Sequence, residues 1–149
     1  MDKLTPETDA VRINRLVNDP SIYPYVCGPL VGVLDATILV NNPKNIFFCG
    51  EFGGCGFIWM EDGQYELHSF CLPEGRGRWA RDNFNLCRDW MWANTAATKI
   101  VTMVPQNNRM AQGAARICKF VKYATTAGVW LFEGNTYDID SYVLYKGVE

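Results

Sequence analysis

The chain predicts a mixed α/β domain, one sheet with helices packed against it, and three observations carry that prediction. Strand-like and helical runs follow one another in the order helix, three strands, helix, strand, helix, two strands. The three consecutive strands are separated by short glycine-containing breaks that permit tight hairpins, so they read as an antiparallel meander. The strand–helix–strand unit around residues 65–104 then favours a parallel pair beside them, because parallel neighbours need a crossover of that length. The expectation is a mixed, mostly antiparallel sheet of about six strands flanked by helices. With 149 residues and 48% hydrophobic content, the chain reads as a single domain over 1–149 that buries its own core.

The first helix is expected in "TPETDAVRINRLVNDP", residues 5–20. Thr5 can cap it, Pro6 sits where a first turn tolerates proline, and Val11, Leu16 and Val17 supply an apolar face before Asn18, Asp19 and Pro20 close it. Proline and glycine interrupt residues 21–44 too often for one regular element, which leaves loop and short helix. The meander is "NIFFCGEF" at 45–52, "CGFIWME" at 55–61 and "YELHSFCL" at 65–72, separated by Gly53-Gly54 and Asp62-Gly63.

Downstream, "WARDNFNLCRDWMWANT" at 79–95 repeats Ala80, Phe84, Cys87, Trp90 and Met91 at helical spacing, with Arg81, Asp82, Asn85, Arg88 and Asp89 as the polar face. "KIVTMVP" at 99–105 is a β-branched strand stopped by Pro105. "NNRMAQGAARICKFV" at 107–121 fits a helix with Met110, Ala114, Ile117 or Cys118, and Val121 on one side. "VWLFEG" and "YDIDSYVLY", joined through Asn135, form a closing hairpin.

Charge and composition exclude several functions. The net charge is −2 and no lysine or arginine run marks a face that would track a nucleic-acid backbone, so no nucleic-acid partner is expected. The opening "MDKLTPETDAVR" lacks the apolar core of a signal peptide, and no apolar run has the length of a membrane span, so no membrane association is expected either. The six cysteines fall inside apolar segments without the close pairing of zinc ligands, which reads as reduced core thiols in an intracellular protein. Cys71 and Cys118 have no base neighbour that would make either a nucleophile. "YDIDSY" offers two carboxylates but no further oxygen ligands, so no metal is expected.

Three motifs in order carry a resemblance: "LPEGRGRWAR" at 72–81, "DWMW" at 89–92 and "VPQNNRMA" at 104–111. Over about residues 45–145 they are similar to the GNAT superfamily of N-acetyltransferases, whose fourth strand is followed by V-x-P-E-x-R-G-x-G-x-G and whose next helix begins N-x-x-A. The chain looks most like small phage and prophage members, through Arg76, Gly77, Ala80, Trp90, Met91, Thr102, Val104, Pro105, Asn108 and Ala111.

The resemblance implies acetyl-CoA lying between the fourth and fifth strands, its pyrophosphate on backbone amides at the start of the helix after the loop, where the helix dipole favours an anion. Phe70, Cys71, Leu72, Arg76, Gly77, Arg78, Trp79, Ala80, Arg81 and Asn108 are the implied cofactor-binding residues, and Glu66 and His68 the candidate bases for an amine substrate. Glu66, His68 and Phe70 share one face of their strand, and Leu67, Ser69 and Cys71 the other.

The chain also departs from the pattern. Anchored on Pro73 and Glu74, it has Trp79 and Arg81 where the family keeps small residues, so a ring is expected in a turn that should be open. A second register uses Gly75 and Gly77 as the two glycines but turns Arg78 toward the core, and the first is preferred because Ala80, Phe84 and Cys87 then face inward. Seven residues past Asn108, where many members carry a proton-donating tyrosine, stands Ala115, and Lys119-Phe120 replaces the usual Gly-Phe.

Two functions follow. One is N-acyl transfer from acetyl-CoA to an amine in the host cytoplasm. The other is a non-catalytic GNAT scaffold that binds a phage structural protein during head or virion assembly, with the loss of the acid and an aromatic content of 13% as its motivation. Oligomeric state is left open.

Overall fold

A computed structural model describes residues 3–28, 30 and 32–147. One seven-stranded sheet runs in the order β1 (Thr5–Glu7), β2 (Ile46–Gly50), β3 (Gly53–Glu61), β4 (Gln64–Cys71), β5 (Lys99–Pro105), β7 (Asn135–Tyr145), β6 (Val121–Phe132). Every neighbouring pair is antiparallel except β4 and β5, the parallel pair that the intervening helix requires. Helices α1 (Ala10–Val17), α2 (Tyr23–Val26) and α3 (Thr37–Asn41) precede β2, while α4 (Arg78–Asn94) and α5 (Arg109–Ile117) flank β5 in sequence.

The extra strand comes from the segment expected to start the first helix. Thr5 is not a cap: Thr5–Glu7 pairs with Phe47–Cys49 at the sheet edge, where Pro6 withdraws no ladder donor that matters. Asp9 caps α1 instead, accepting the Val11 N–H at 2.9 Å. The first hairpin turn is Glu51-Phe52 rather than Gly53-Gly54. Gly54 serves the sheet: a Cβ there would meet the Phe70 ring at 2.7 Å and the Phe48 carbonyl at 2.4 Å, so two elements close on bare backbone.

Each helix also turns a slightly different face inward than its pattern suggests. In α4 the buried stripe is Trp79, Asn83, Cys87 and Met91, with Ala80 and Phe84 at its margin. Asn83 is admitted because Oδ1 accepts the Leu4 N–H at 2.8 Å and Nδ2 donates to the Trp79 carbonyl at 2.9 Å. In α5, Gln112 and Ala115 are buried while Met110, Ala114 and Ile117 face out.

That helix closes in a Schellman motif, with the Phe120 N–H on the Ala115 carbonyl, the Lys119 N–H on that of Arg116, and Lys119 at φ 71°. β6 therefore starts at Val121 and takes in residues 122–128, which have no alternation in sequence because every side chain from Val121 to Val129 is exposed.

The sheet separates two cores. On one face α1 and α3 cover Phe47, Cys49 and Phe70; on the other, Cys87 and Met91 of α4 and Ala115 of α5 cover Phe48, Phe57, Leu67 and Ile100. Fully buried side chains such as Phe57 contribute roughly 1.5–3 kcal/mol each by leaving water. None of the six cysteines is in a disulfide.

Candidate functional site

The site follows from where two strands part. β4 and β5 pair only at Gln64–Glu66 with Lys99–Val101, and beyond that the strands diverge. From Leu67 onward, backbone amides of β4 that turn away from β3 look into the gap. Thr102 Oγ1 donates to the Leu67 carbonyl at 3.1 Å, the link at its narrow end. The gap widens into a cleft of about 830 Å³, floored by Leu67, Cys55, Phe84, Ala115, Cys118 and Phe120 and flanked by Arg76, Arg78, Arg81 and Arg109. Its volume is that of a small-molecule site, and among the described residues its walls hold no carboxylate.

The loop quoted from residues 72–81 forms the mouth. Pro73–Gly75 make a 3-10 turn and Gly77 is the N-cap of α4 at φ 93°, a backbone region that L side chains avoid. A Cβ on Gly77 would meet nothing within 4 Å, so the backbone conformation and not crowding is what favours glycine there. The Trp79 ring does not occupy that turn. It is 9% exposed and folds beneath Gly75 into an edge-on contact with Phe52, ring centres 5.7 Å apart, while still forming part of the cleft wall. Arg78, expected inward once Gly77 leads the helix, points to solvent.

The arginines divide by role. Arg76 donates from Nε to the Cys71 carbonyl at 3.3 Å and from Nη2 to the Ser21 carbonyl at 2.7 Å. It thereby fastens the α2 segment across the cleft. Arg81 and Arg78 lie 3.1 and 4.0 Å from the Asp82 carboxylate, both in solvent-exposed pairs of the weak kind.

Glu66 and His68 are brought together: His68 Nε2 and Glu66 Oε1 form a hydrogen bond, with the imidazole 59% and the carboxylate 16% exposed. Both project on the α1–α3 face of β4, opposite the face on which Leu67 and Ser69 line the cleft. Neither side chain lines the cleft, although Glu66 is the last β4 residue paired with β5 before the strands part. Phe70, Cys71 and Ala80 border the cleft and Leu72 packs against the α1–α3 core. The Leu72 N–H is held by the Phe52 carbonyl at 2.8 Å.

Asn108 is a cap. Its Oδ1 accepts the Ala111 N–H at 3.1 Å, its carbonyl the Gln112 N–H and its own N–H reaches the Pro105 carbonyl. Burial pushes the Cys71 thiol up to about 11 and raises that of Cys118, which suits inert thiols. Among the described residues no three side chains group as metal ligands, and no helix is long and apolar enough to cross a membrane.

Sequence reasoning missed Tyr25, Ile22 and Val26, which line the cleft from a segment too broken by proline and glycine to show a pattern. It also missed Asn107, hidden behind the better motif position of Asn108, and a polar network beside α5. There the buried Asp140 accepts from Thr125 Oγ1 at 2.7 Å and Gln106 Nε2 at 3.0 Å, while Tyr142 donates to Gln112 Oε1 and Gln112 Nε2 to the Val104 carbonyl.

No protein-family model matches the chain, and no curated protein matches it in sequence. Solved structures do. Spermidine N-acetyltransferase from Vibrio cholerae in complex with CoA and spermine superposes with a TM-score of 0.79 over 97% of this chain and 96% of that one, at 19% identity. A dodecameric structure of spermidine N-acetyltransferase from the same organism in an intermediate state gives 0.66 over 74% and 70%, at 18% identity. The mixed seven-stranded sheet, parted between β4 and β5 and flanked by helices, has the GNAT fold.

Proposed function

We propose that the protein is an acyltransferase that moves an acetyl group from acetyl-CoA to an amine. The observation that carries this reading is the parting of β4 from β5 into an arginine-flanked apolar cleft whose mouth is a glycine-led helix start. A long ligand with an anionic head and an uncharged arm fits those walls: first-turn amides and Arg78 and Arg81 for the head, apolar floor for the arm. The solved neighbour that binds CoA supports the same reading.

Bound acetyl-CoA supplies a thioester whose carbonyl is open to a nucleophile. The chain supplies the rest. Amides of β4 beyond Leu67 face the gap and can donate to a carbonyl oxygen there. His68, held by the Glu66 carboxylate, can accept the proton of an incoming ammonium through water at the divergence of the strands. Ala115 offers the departing sulfur no proton, so as the C–S bond breaks the coenzyme would leave as a thiolate and take its proton from solvent. Incubating the protein with acetyl-CoA and a panel of amines, and following free thiol and acetylated product together, tests the activity; a panel that yields neither contradicts it.

A second reading, a phage GNAT scaffold kept for head or virion assembly, is favoured by β6, a free sheet edge with Val121, Tyr123, Val129 and Leu131 exposed. A strictly monomeric protein that copurifies with no phage structural component contradicts it.

A further inference from the structure

We infer that the acceptor is a primary amine with one cationic nitrogen on an apolar body, and not a polyamine, an inference that deepens the acyl-transfer reading above and rests on it. The sheet puts the two partners of that reaction on opposite faces. Leu67, Ser69, Thr102 and Val104 line the cleft, while Glu66 and His68 of β4 and Val101 and Met103 of β5 alternate onto the other face. An amine within reach of His68 therefore lies on that second face, at the gap.

Strand registers lay out what the rest of the amine meets there. Glu66, Val101, Val143 and Val121 form one row across four strands. Met103, Ser141 and Ala124 form the next, level with His68, and Pro105, Ile139 and Thr126 the one after. Beyond them Tyr137 pairs with Trp130. The Trp130 ring lies over Gly28, where an added Cβ would be 3.0 Å from it, and Phe132 meets Tyr25 with ring centres 5.4 Å apart. Met103 is exposed and Ile139, Tyr137 and Trp130 are half-buried, so this apolar track can be touched from solvent.

Charge decides the class of amine. In those rows Glu66 is the one carboxylate among the described residues, and it is already bonded to His68. Lys99 stands one row further back, its Nζ 5.7 Å from the Tyr145 ring, and the Arg76 guanidinium lies 5.9 Å from the Tyr25 ring at the far end. A polyamine would lay its further ammonium groups on methionine, isoleucine and aromatic rings between two cations, losing water with no counter-charge. A single ammonium at the Glu66–His68 pair leaves no such group, and its apolar body gains by leaving water along Met103, Ile139 and Trp130. The transfer forms the N–C bond and breaks the C–S bond; of the two protons the ammonium sheds, one ends on the coenzyme thiol and one in solvent.

The test follows thiol release under saturating acetyl-CoA with phenylethylamine and with spermidine, on wild type, Met103→Glu and Trp130→Ala. Calorimetric titration of each amine into protein saturated with coenzyme A, which cannot react, gives the affinities. Wild type is expected to favour phenylethylamine by about tenfold or more in both kcat/KM and affinity. Met103→Glu sets a second carboxylate on the track and should shrink that ratio by about tenfold, gaining spermidine and losing phenylethylamine, with acetyl-CoA affinity unchanged because Met103 does not line the cleft. Trp130→Ala should weaken phenylethylamine alone.

Spermidine used as well as phenylethylamine or better, or turnover confined to amines without an apolar body, overturns the inference and leaves acyl transfer standing. A preference that neither variant changes overturns it too. Absence of thiol release with every amine tried overturns the acyl-transfer reading itself.

Discussion

Arg76 and Ser21 are joined across 55 positions of chain by a 2.7 Å hydrogen bond from Nη2 to a backbone carbonyl. The same guanidinium lies 5.9 Å from the Tyr25 ring centre. A loop arginine suited to phosphate by residue type thus closes the cleft wall by holding α2 against it. Arg76→Ala should cost about 1–3 kcal/mol, the scale for losing charge-assisted bonds to shielded carbonyls. Denaturant unfolding measures the loss. Hydrogen exchange should show the amides of residues 22–27 opening faster while those of β2 and β3 keep their protection.

The Glu66–His68 pair makes a prediction about turnover and binding separately. Neither side chain lines the cleft, so His68→Ala and Glu66→Gln should leave acetyl-CoA affinity unchanged. Loss of a positioned base slows proton transfer by roughly 10²-fold or more, which thiol release under saturating donor would register in kcat. The deficit of His68→Ala should shrink at alkaline pH, where more of the amine is already free of its proton.

Lys119 occupies the C′ position of the Schellman motif at φ 71°. A left-handed conformation costs an L residue about 1–2 kcal/mol, partly offset in glycine by its looser unfolded chain. Lys119→Gly is expected to stabilise the fold by roughly 0.5–1 kcal/mol. A rise in thermal midpoint checks it; a fall would mean that the lysine stem holds something the backbone conformation does not explain.

For Asp140, burial by itself would raise the carboxyl, but hydrogen bonds from Thr125 and Gln106 outweigh it and hold the group below the usual carboxylate range. A carboxylate depressed in the folded state contributes stability in full above its unfolded value of about 3.9, and that stability is lost as pH falls through the folded value. Asp140→Asn should therefore lower the melting temperature at pH 7. Melting curves collected downward in pH should show wild type and variant converging below about pH 4. A gap that persists into acid contradicts the assignment.

Much of the fold was legible because its signals are local. Strand alternation in 45–72, the β-branched run at 99–105 and the crossover between them placed the parallel pair, while the gap beside it was implied by the family resemblance alone. What misled was tertiary. Thr5-Pro6-Glu7 has the makings of a helix start, yet an unpaired edge of β2 was available to it. Met110, Ala114 and Ile117 have helical spacing, but α5 turns Gln112 and Ala115 inward because Tyr142 and the Val104 carbonyl satisfy the Gln112 amide.

The site divided in the same way. Its loop was visible in "PEGRGRWAR", whereas the inward fold of Trp79 depended on Phe52 and Gly75 being beneath it.

The central claim is that the cleft between β4 and β5 binds an acyl-CoA with its anionic head at the Gly77 mouth of α4. Titration calorimetry with acetyl-CoA on wild type and Gly77→Val tests it most directly. The valine finds no steric obstacle but must adopt φ near 93°, at a cost of about 1–3 kcal/mol, or turn the helix start away. Saturable one-site binding by wild type that is weakened in the folded variant is the predicted result. A folded wild-type protein that shows no saturable binding of acetyl-CoA contradicts it.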